Sequence, residues 1–372
     1  MKILILSCNT GEGHNAAGNA VLEAARLRGH EAVLQDVMLL SGEHTSKLIS
    51  GAYVHIARSL PHFFGFLYKL ALLISNPRIK SPIYWANARL AKKLADFIEA
   101  NHFDLVVCPH LYPAETLTYM KRRRMLHIKT VAVGTDYTCI PFWEETDCDY
   151  YILPHEDLTE EYTRRKVPKE KLLPYGIPVK QSFTKRIEKS AAREKCNLPK
   201  DKLLYLIMSG SMGFGKLAVF SLALAKRLKN GEHIIIICGN NNKIRRILKR
   251  QFHGNKQVHI LGYTKYVSLY MDACDVIFTK PGGLTSTEAL VKNIPIIHTA
   301  PIPGCETKNS EFFSKRGLSF ASRHIAEQIR LGQLLANNAD AALEMQKKQQ
   351  FHRKPDAAMR IIDLLEKLYF NN

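Results

Sequence analysis

Between His44 and Ala95 the chain has no Asp or Glu at all, and acids are scarce overall: 34 Asp+Glu against 53 Lys+Arg, a formal net charge of +19. Such an imbalance implies a polyanionic partner, either nucleic acid or an anionic membrane. Other absences narrow the class. No run of 18 or more apolar residues occurs, so nothing reads as a membrane span. Met1 to Ser7 holds only four consecutive apolar residues, too few for the apolar region of a signal peptide, and reads as a first strand. The eight cysteines show neither a CxxC pair nor zinc spacing, which argues against a disulfide framework or a cysteine metal centre and implies reduced thiols in the cytoplasm. Internal repeats and low-complexity tracts are missing as well. What is present is ample apolar material, 46% of 372 residues, enough for two ordinary cores.

The acid-free stretch carries eight cations (Lys47, Arg58, Lys69, Arg78, Lys80, Arg89, Lys92 and Lys93) interleaved with Phe63, Phe64, Phe66, Tyr68, Tyr84 and Trp85 and the run Leu70 to Ile74. Cations beside clustered aromatic and aliphatic side chains describe a surface that sinks shallowly into an anionic headgroup layer. Nucleic acid needs the cations but not the aliphatic bulk, so no nucleic-acid partner is expected. The competing reading makes the apolar residues domain core and the cations a solvated helix face.

Strand and helix patterns alternate in two blocks, the signature of an α/β chain with two doubly wound, Rossmann-like domains. Strands are expected at Lys2 to Ser7, Glu31 to Val37, Leu105 to Cys108, Thr130 to Val133 and Tyr150 to Leu153. A second set is expected at Lys202 to Met208, His233 to Cys238, Val258 to Leu261, Asp275 to Thr279 and Ile294 to His298. Leu173-Pro-Tyr-Gly-Ile-Pro-Val179 interrupts both periodicities and reads as the crossing between domains. The expected division is 1–178, 179–345, and a C-terminal helical segment 346–372 that packs back on the first domain.

Three glycine turns carry the chemistry. After the strand ending at Thr279 come Lys280, Pro281, Gly282, Gly283 and Leu284, with Thr285 or Ser286 placed to cap a following helix and Glu288 one turn in. Free amides and the positive end of a helix make a phosphate cradle, and a carboxylate there accepts hydrogen bonds from two adjacent hydroxyls such as a ribose. Ser209-Gly210-Ser211-Met212-Gly213 is a second such turn, suited to the same diphosphate. The third, Gly11-Glu12-Gly13-His14-Asn15-Ala16, fits G-x-G-x-x-A, with Asp36 where a dinucleotide fold would place its ribose acid. That rival reading leaves His14 unexplained. A histidine at a helix start titrates near neutral pH and is placed to take a proton from an entering hydroxyl.

These residues, with Thr135-Asp136 after a strand, Gly176 to Val179 at the crossing and Pro303-Gly304-Cys305-Glu306-x-x-Asn309, resemble the monogalactosyldiacylglycerol synthase and processive diacylglycerol glucosyltransferase family, which is glycosyltransferase family 28-like. The likeness covers nearly the whole chain. It implies a GT-B fold, two Rossmann-like domains facing a deep cleft. It also implies transfer of glucose or galactose from a UDP-sugar to a membrane lipid hydroxyl such as diacylglycerol, with inversion and with no cofactor or essential metal. By the same resemblance Glu288 holds the ribose, the two turns the diphosphate, Glu306 the sugar hydroxyls, and Tyr263 lies near the uracil. The acceptor half takes Gly11, Gly13 and the basic-aromatic surface, which would sit on the cytoplasmic face of the membrane. His14 is the expected base, with Asp136 as alternative base or orienting partner. Cys305 departs from the family's frequent glutamine, which leaves glucose versus galactose open. The alternatives are a UDP-GlcNAc transferase to a polyprenyl-linked acceptor, a cytosolic UDP-sugar or NAD enzyme, and a UDP-sugar sensor.

Overall fold

A computed structural model describes residues 1–8, 11–44, 51, 56, 59–76, 79–208, 217–229 and 231–371. The chain divides into two units, Met1–Gln181 with Pro303–Cys305 and Lys354–Asn372, and Ser182–Ile302 with Glu306–Arg353.

The first unit is built on six parallel strands, β1 (Lys2–Ser7), β2 (Glu31–Asp36), β3 (Leu105–Cys108), β4 (Lys129–Val133), β5 (Tyr150–Ile152) and β6 (Leu172–Leu173), in the order β2-β1-β3-β4-β5-β6. Strands covered on both faces must be apolar throughout, which is why β1 and β3 read as unbroken hydrophobic runs. Ile3, Ile5, Val107 and Val131 of the sheet pack with Val21 and Ala25 of helix Glu12–Leu27 and with Ile361, Ile362 and Leu365 of helix Ala357–Phe370. This buried apolar seam holds the C-terminal helix on the first unit. The Arg28–Glu366 pair at 2.6 Å lies at the surface, where ion pairs contribute little. Gly176 has φ +100, and a Cβ there would lie 2.5 Å from Lys354 Cβ, so only glycine fits where the crossing meets the returning chain.

The second unit has β7 (Leu204–Met208), β8 (His233–Ile237), β9 (Val258–Leu261), β10 (Val276–Thr279), β11 (Ile296–His298) and β12 (Phe320–Ala321), again all parallel, in the order β12-β11-β10-β7-β8-β9. Tyr205, Phe220 and Phe278 centre its core. Three features differ from the sequence expectation. The two-residue strands β6 and β12 are too short for periodicity to register. Residues 346–353 complete helix Ala339–His352 in the second unit, and only Lys354–Asn372 joins the first. Pro303–Cys305 groups with the first unit, where Pro303 packs on Gly65 and Gly304 on the Tyr68 ring.

The acid-free stretch forms helices Pro61–Ile74, Pro82–Ala88 and Ala91–Ala100. Its counter-charges come from elsewhere in the sequence. Ser75 donates to Glu144 at 2.5 Å, the Ser81 amide to Glu145 at 2.9 Å, Lys80 Nζ to the Glu145 carbonyl at 2.6 Å, and Asn87 to Glu115 at 2.5 Å. Glu115 is fully buried, and that burial pushes its carboxyl up to about 8. Helix Pro61–Ile74, fastened in this way, buries only Gly65 of its own residues.

Candidate functional site

Ligands of open parallel sheets bind beyond the carboxyl ends of the strands, where the strand order reverses. In the first unit that point lies between β1 and β3. His14 sits in the first turn of the helix after β1, with Nδ1 2.9 Å from the Pro109 carbonyl, just past β3, and 2.9 Å from Thr135 Oγ1, just past β4. A carbonyl only accepts, so Nδ1 carries the proton and Nε2 keeps its lone pair as the basic nitrogen. Burial holds the His14 imidazole below its ordinary range, while the Asp136 carboxylate and the Pro109 contact draw it back up. These side chains line a cavity of about 10 Å³, room for about one water.

His110, not singled out from the sequence, presses its ring edge on His14 with centroids 4.4 Å apart. Its Nδ1 accepts from the Tyr112 amide at 3.1 Å and caps helix Leu111–Arg122, while burial and the adjacent His14 keep it neutral. The available signal was a histidine directly after an apolar strand. At Gly11, among the described residues, no atom lies within 4 Å of a would-be Cβ. Gly13 lies inside the helix, not in a turn, and Asp36 accepts from the Met38 amide at 2.9 Å to cap the 3₁₀ turn Val37–Ser41. Of the dinucleotide fingerprint, Gly13 and Asp36 thus take part in local structure.

In the second unit the order reverses between β7 and β10. Thr279 at the end of β10 registers with Met208 at the end of β7, and the Ser209–Gly213 turn follows Met208 in the sequence. Its residues Gly210, Ser211, Met212 and Gly213 lie outside the described ones. The helix expected to be capped by Thr285 or Ser286 instead opens at Gly283 with Gly282 in the cap position and no side-chain cap. Ser286 faces inward and bonds His298 at 3.0 Å. Gly282 has φ −72, and among the described residues nothing lies within 4 Å of a would-be Cβ. Neither conformation nor packing calls for glycine there, whereas close approach of a ligand to the backbone does. Pro281 is held through its carbonyl by Asn309 at 3.0 Å, Leu284 is buried, and Thr285 and Glu288 share the partly exposed face of this helix start.

Lys280 and Glu306 form a buried ion pair at 2.9 Å, and the second Glu306 oxygen accepts from the Ile302 amide at 2.8 Å. The lysine expected to face the phosphates and the glutamate expected to face the sugar thus hold each other. Cys305 is half-buried beside Glu306, and Tyr263 stands exposed just after β9. Of the surface residues, Phe63, Phe66, Lys69 and Trp85 are exposed, Phe64 is half-buried, Lys80 is spent on Glu145, and Arg78 lies outside the described residues. Among the described residues no three His, Cys, Asp or Glu side chains come together as a metal site.

Residues 14–179 match the family model of monogalactosyldiacylglycerol (MGDG) synthase, and residues 204–361 that of the glycosyltransferase family 28 C-terminal domain. The chain is 28% identical over 321 residues to a processive diacylglycerol beta-glucosyltransferase of Staphylococcus saprophyticus, covering 85% of this chain and 80% of that one. It is 27% identical to a protein of the same name from Bacillus licheniformis, covering 98% and 94%. Among solved structures it is similar to Acinetobacter baumannii MurG (TM-score 0.65, 14% identity, 98% and 99% covered). The MnaA–UDP complex of S. aureus is similar too (TM-score 0.66, 13% identity, 100% and 97% covered). At such identities the structures speak for the fold, which is GT-B.

Proposed function

Because the chain belongs to the monogalactosyldiacylglycerol synthase and processive diacylglycerol glucosyltransferase family, we propose that it moves a hexose from a UDP-sugar to the hydroxyl of a membrane lipid, diacylglycerol, with inversion. The observation that carries the chemistry is His14, a neutral imidazole whose Nδ1 proton is engaged by Pro109 and whose Nε2 is left to accept one. The lipid hydroxyl gives its proton to Nε2 as its oxygen attacks the anomeric carbon. The bond from that carbon to the diphosphate breaks on the opposite face, and the electron pair leaves with UDP. The uncapped helix start at Gly283 receives the growing negative charge, where the amides and helix dipole stabilise an anion. Turnover is therefore expected to persist in EDTA.

The test is incubation of purified protein with radiolabelled UDP-glucose and UDP-galactose, with and without diacylglycerol in anionic liposomes. Label entering the lipid fraction only when diacylglycerol is present supports the reading. Conversion to a soluble sugar product, or UDP binding without turnover, overturns it. At the donor site, Glu288→Ala is expected to weaken UDP binding by roughly 1.5–3 kcal/mol through loss of charge-assisted hydrogen bonds. Unchanged affinity by calorimetry would remove Glu288 from the site.

The same reading places helix Pro61–Ile74 on an anionic membrane, as a peripheral contact at the cytoplasmic face. Phe63, Phe66, Leu70 and Leu73 are exposed on it, Leu73 at 83%, with Lys69 among them. Among the described residues no helix is long and apolar enough to cross a membrane. An apolar exposed helix that is rigidly fastened behind matches shallow insertion. Phe66→Ser with Leu73→Ser should reduce cosedimentation with anionic vesicles by about tenfold or more, since each side chain gives up part of a transfer energy of roughly 1.5–3 kcal/mol. Lys69→Glu should weaken binding further at low salt than at high salt. Undiminished pelleting of the apolar double variant would show that another surface docks.

A further inference from the structure

Arg245 stands out among the cations of the second unit. Among the described residues its buried Nε has no hydrogen-bond partner and no acid pairs with its guanidinium. Helix Asn242–Gln251 is otherwise an ordinary solvated basic helix, with Lys243, Arg246, Lys249 and Arg250 exposed. Arg245 alone turns inward, toward the carboxyl ends of β8 and β9. A Cβ built on Gly262, the residue after β9, would lie 3.1 Å from its Nη1, 3.3 Å from Cζ and 3.4 Å from Nε, so the missing side chain at Gly262 is what leaves room for the guanidinium. Its charge also reaches Cys238, just past β8: burial pushes that thiol up to about 11 while Arg245 pulls against the rise. Burying a guanidinium nitrogen without a partner is unfavourable for the protein alone.

The strand order decides what it can meet. From the uncapped helix start after β10 the sheet runs β10-β7-β8-β9, so β8 and β9 lie two and three strands away, roughly 10–14 Å at the usual inter-strand spacing. A diphosphate at Gly283 would extend its nucleoside toward that edge, where the Tyr263 ring stands exposed beside Gly262. Resting on the donor site proposed above, we infer that Arg245 binds the nucleobase and reads the C4 carbonyl of uracil. Arginine offers only donors, so it bonds a carbonyl oxygen and is mismatched against the C4 amino group of cytosine. The ligand completes the hydrogen bonding that the protein leaves open.

The experiment is calorimetry of the full chain with UDP, UMP, CDP and inorganic pyrophosphate, for wild type, Arg245→Met and Arg245→Lys, with melting curves alongside. Methionine fills the space without a donor. Arg245→Met should bind UDP and UMP about tenfold to a hundredfold more weakly, the loss typical of a charge-assisted hydrogen bond. Pyrophosphate binding should not change, and the preference for UDP over CDP should narrow. Arg245→Lys should recover only part of the affinity. The melting temperature of Arg245→Met should hold or rise, because a guanidinium N–H buried without a partner among the described residues is gone, and in turnover KM for the UDP-sugar should rise with kcat little changed. Equal losses for UDP and pyrophosphate would assign the guanidinium to the phosphates and overturn the inference. Unchanged UDP affinity, or a lowered melting temperature that accompanies every loss, would overturn it too. A wild-type protein that binds no UDP would instead bring down the donor site itself.

Discussion

Replacing His14 with alanine should lower sugar transfer by about a hundredfold to ten-thousandfold, the usual worth of a general base, while UDP affinity stays within error of wild type. The pH profile gives the same assignment a sign. Only the neutral imidazole accepts a proton, so kcat should fall as pH drops through the His14 pKa. Burial places that acid limb below the ordinary histidine range. The Asp136 carboxylate favours the imidazolium, so Asp136→Asn should move the limb to still lower pH and reduce the plateau rate by weakening the base. Were Asp136 itself the base, Asp136→Asn would abolish turnover and His14→Ala would retain much of it. Rate profiles of the two variants decide between them.

Lys280→Ala should be the most destabilising single change at the donor site. It strands the Glu306 carboxylate, whose side chain is only 9% exposed, and breaking one partner of such a pair costs roughly 3–5 kcal/mol. Lys280→Met with Glu306→Leu removes both charges together and should recover most of that stability, because two apolar side chains avoid the desolvation penalty. Denaturant unfolding measures both. A loss under about 1 kcal/mol for Lys280→Ala would mean that water screens the pair as at a surface. The double variant also separates stability from chemistry, since a folded protein with poor donor binding would give the pair a role in the site.

Much of the architecture was legible before any coordinates. Parallel strands buried on both faces must be apolar end to end, so β1, β3, β7 and β10 announce themselves in the sequence. Glycine, histidine and glutamate directly after such strands fall at carboxyl ends, where an α/β sheet binds its ligands. The acid-free stretch was legible for the same reason, since composition is local. Sequence alone therefore determined two α/β units and the positions of the strand-end turns, and it singled out His14 and Glu288 as the residues on which the proposed acceptor and donor sites rest.

What those side chains do was decided by partners far away in the chain. Pro109 sets the His14 tautomer from 95 residues away, and Thr135 reaches the same nitrogen from 121. Glu145, 65 residues from Lys80, turns an expected docking cation into a strut. Glu306 takes the charge of Lys280, and the space at Gly262 admits Arg245. Periodicity reports which face of an element is buried, because burial repeats with the turn of the backbone. It does not report which hydrogen bond or ion pair a polar side chain makes, because that depends on a few tenths of an ångström between residues that only the folded sheet brings together.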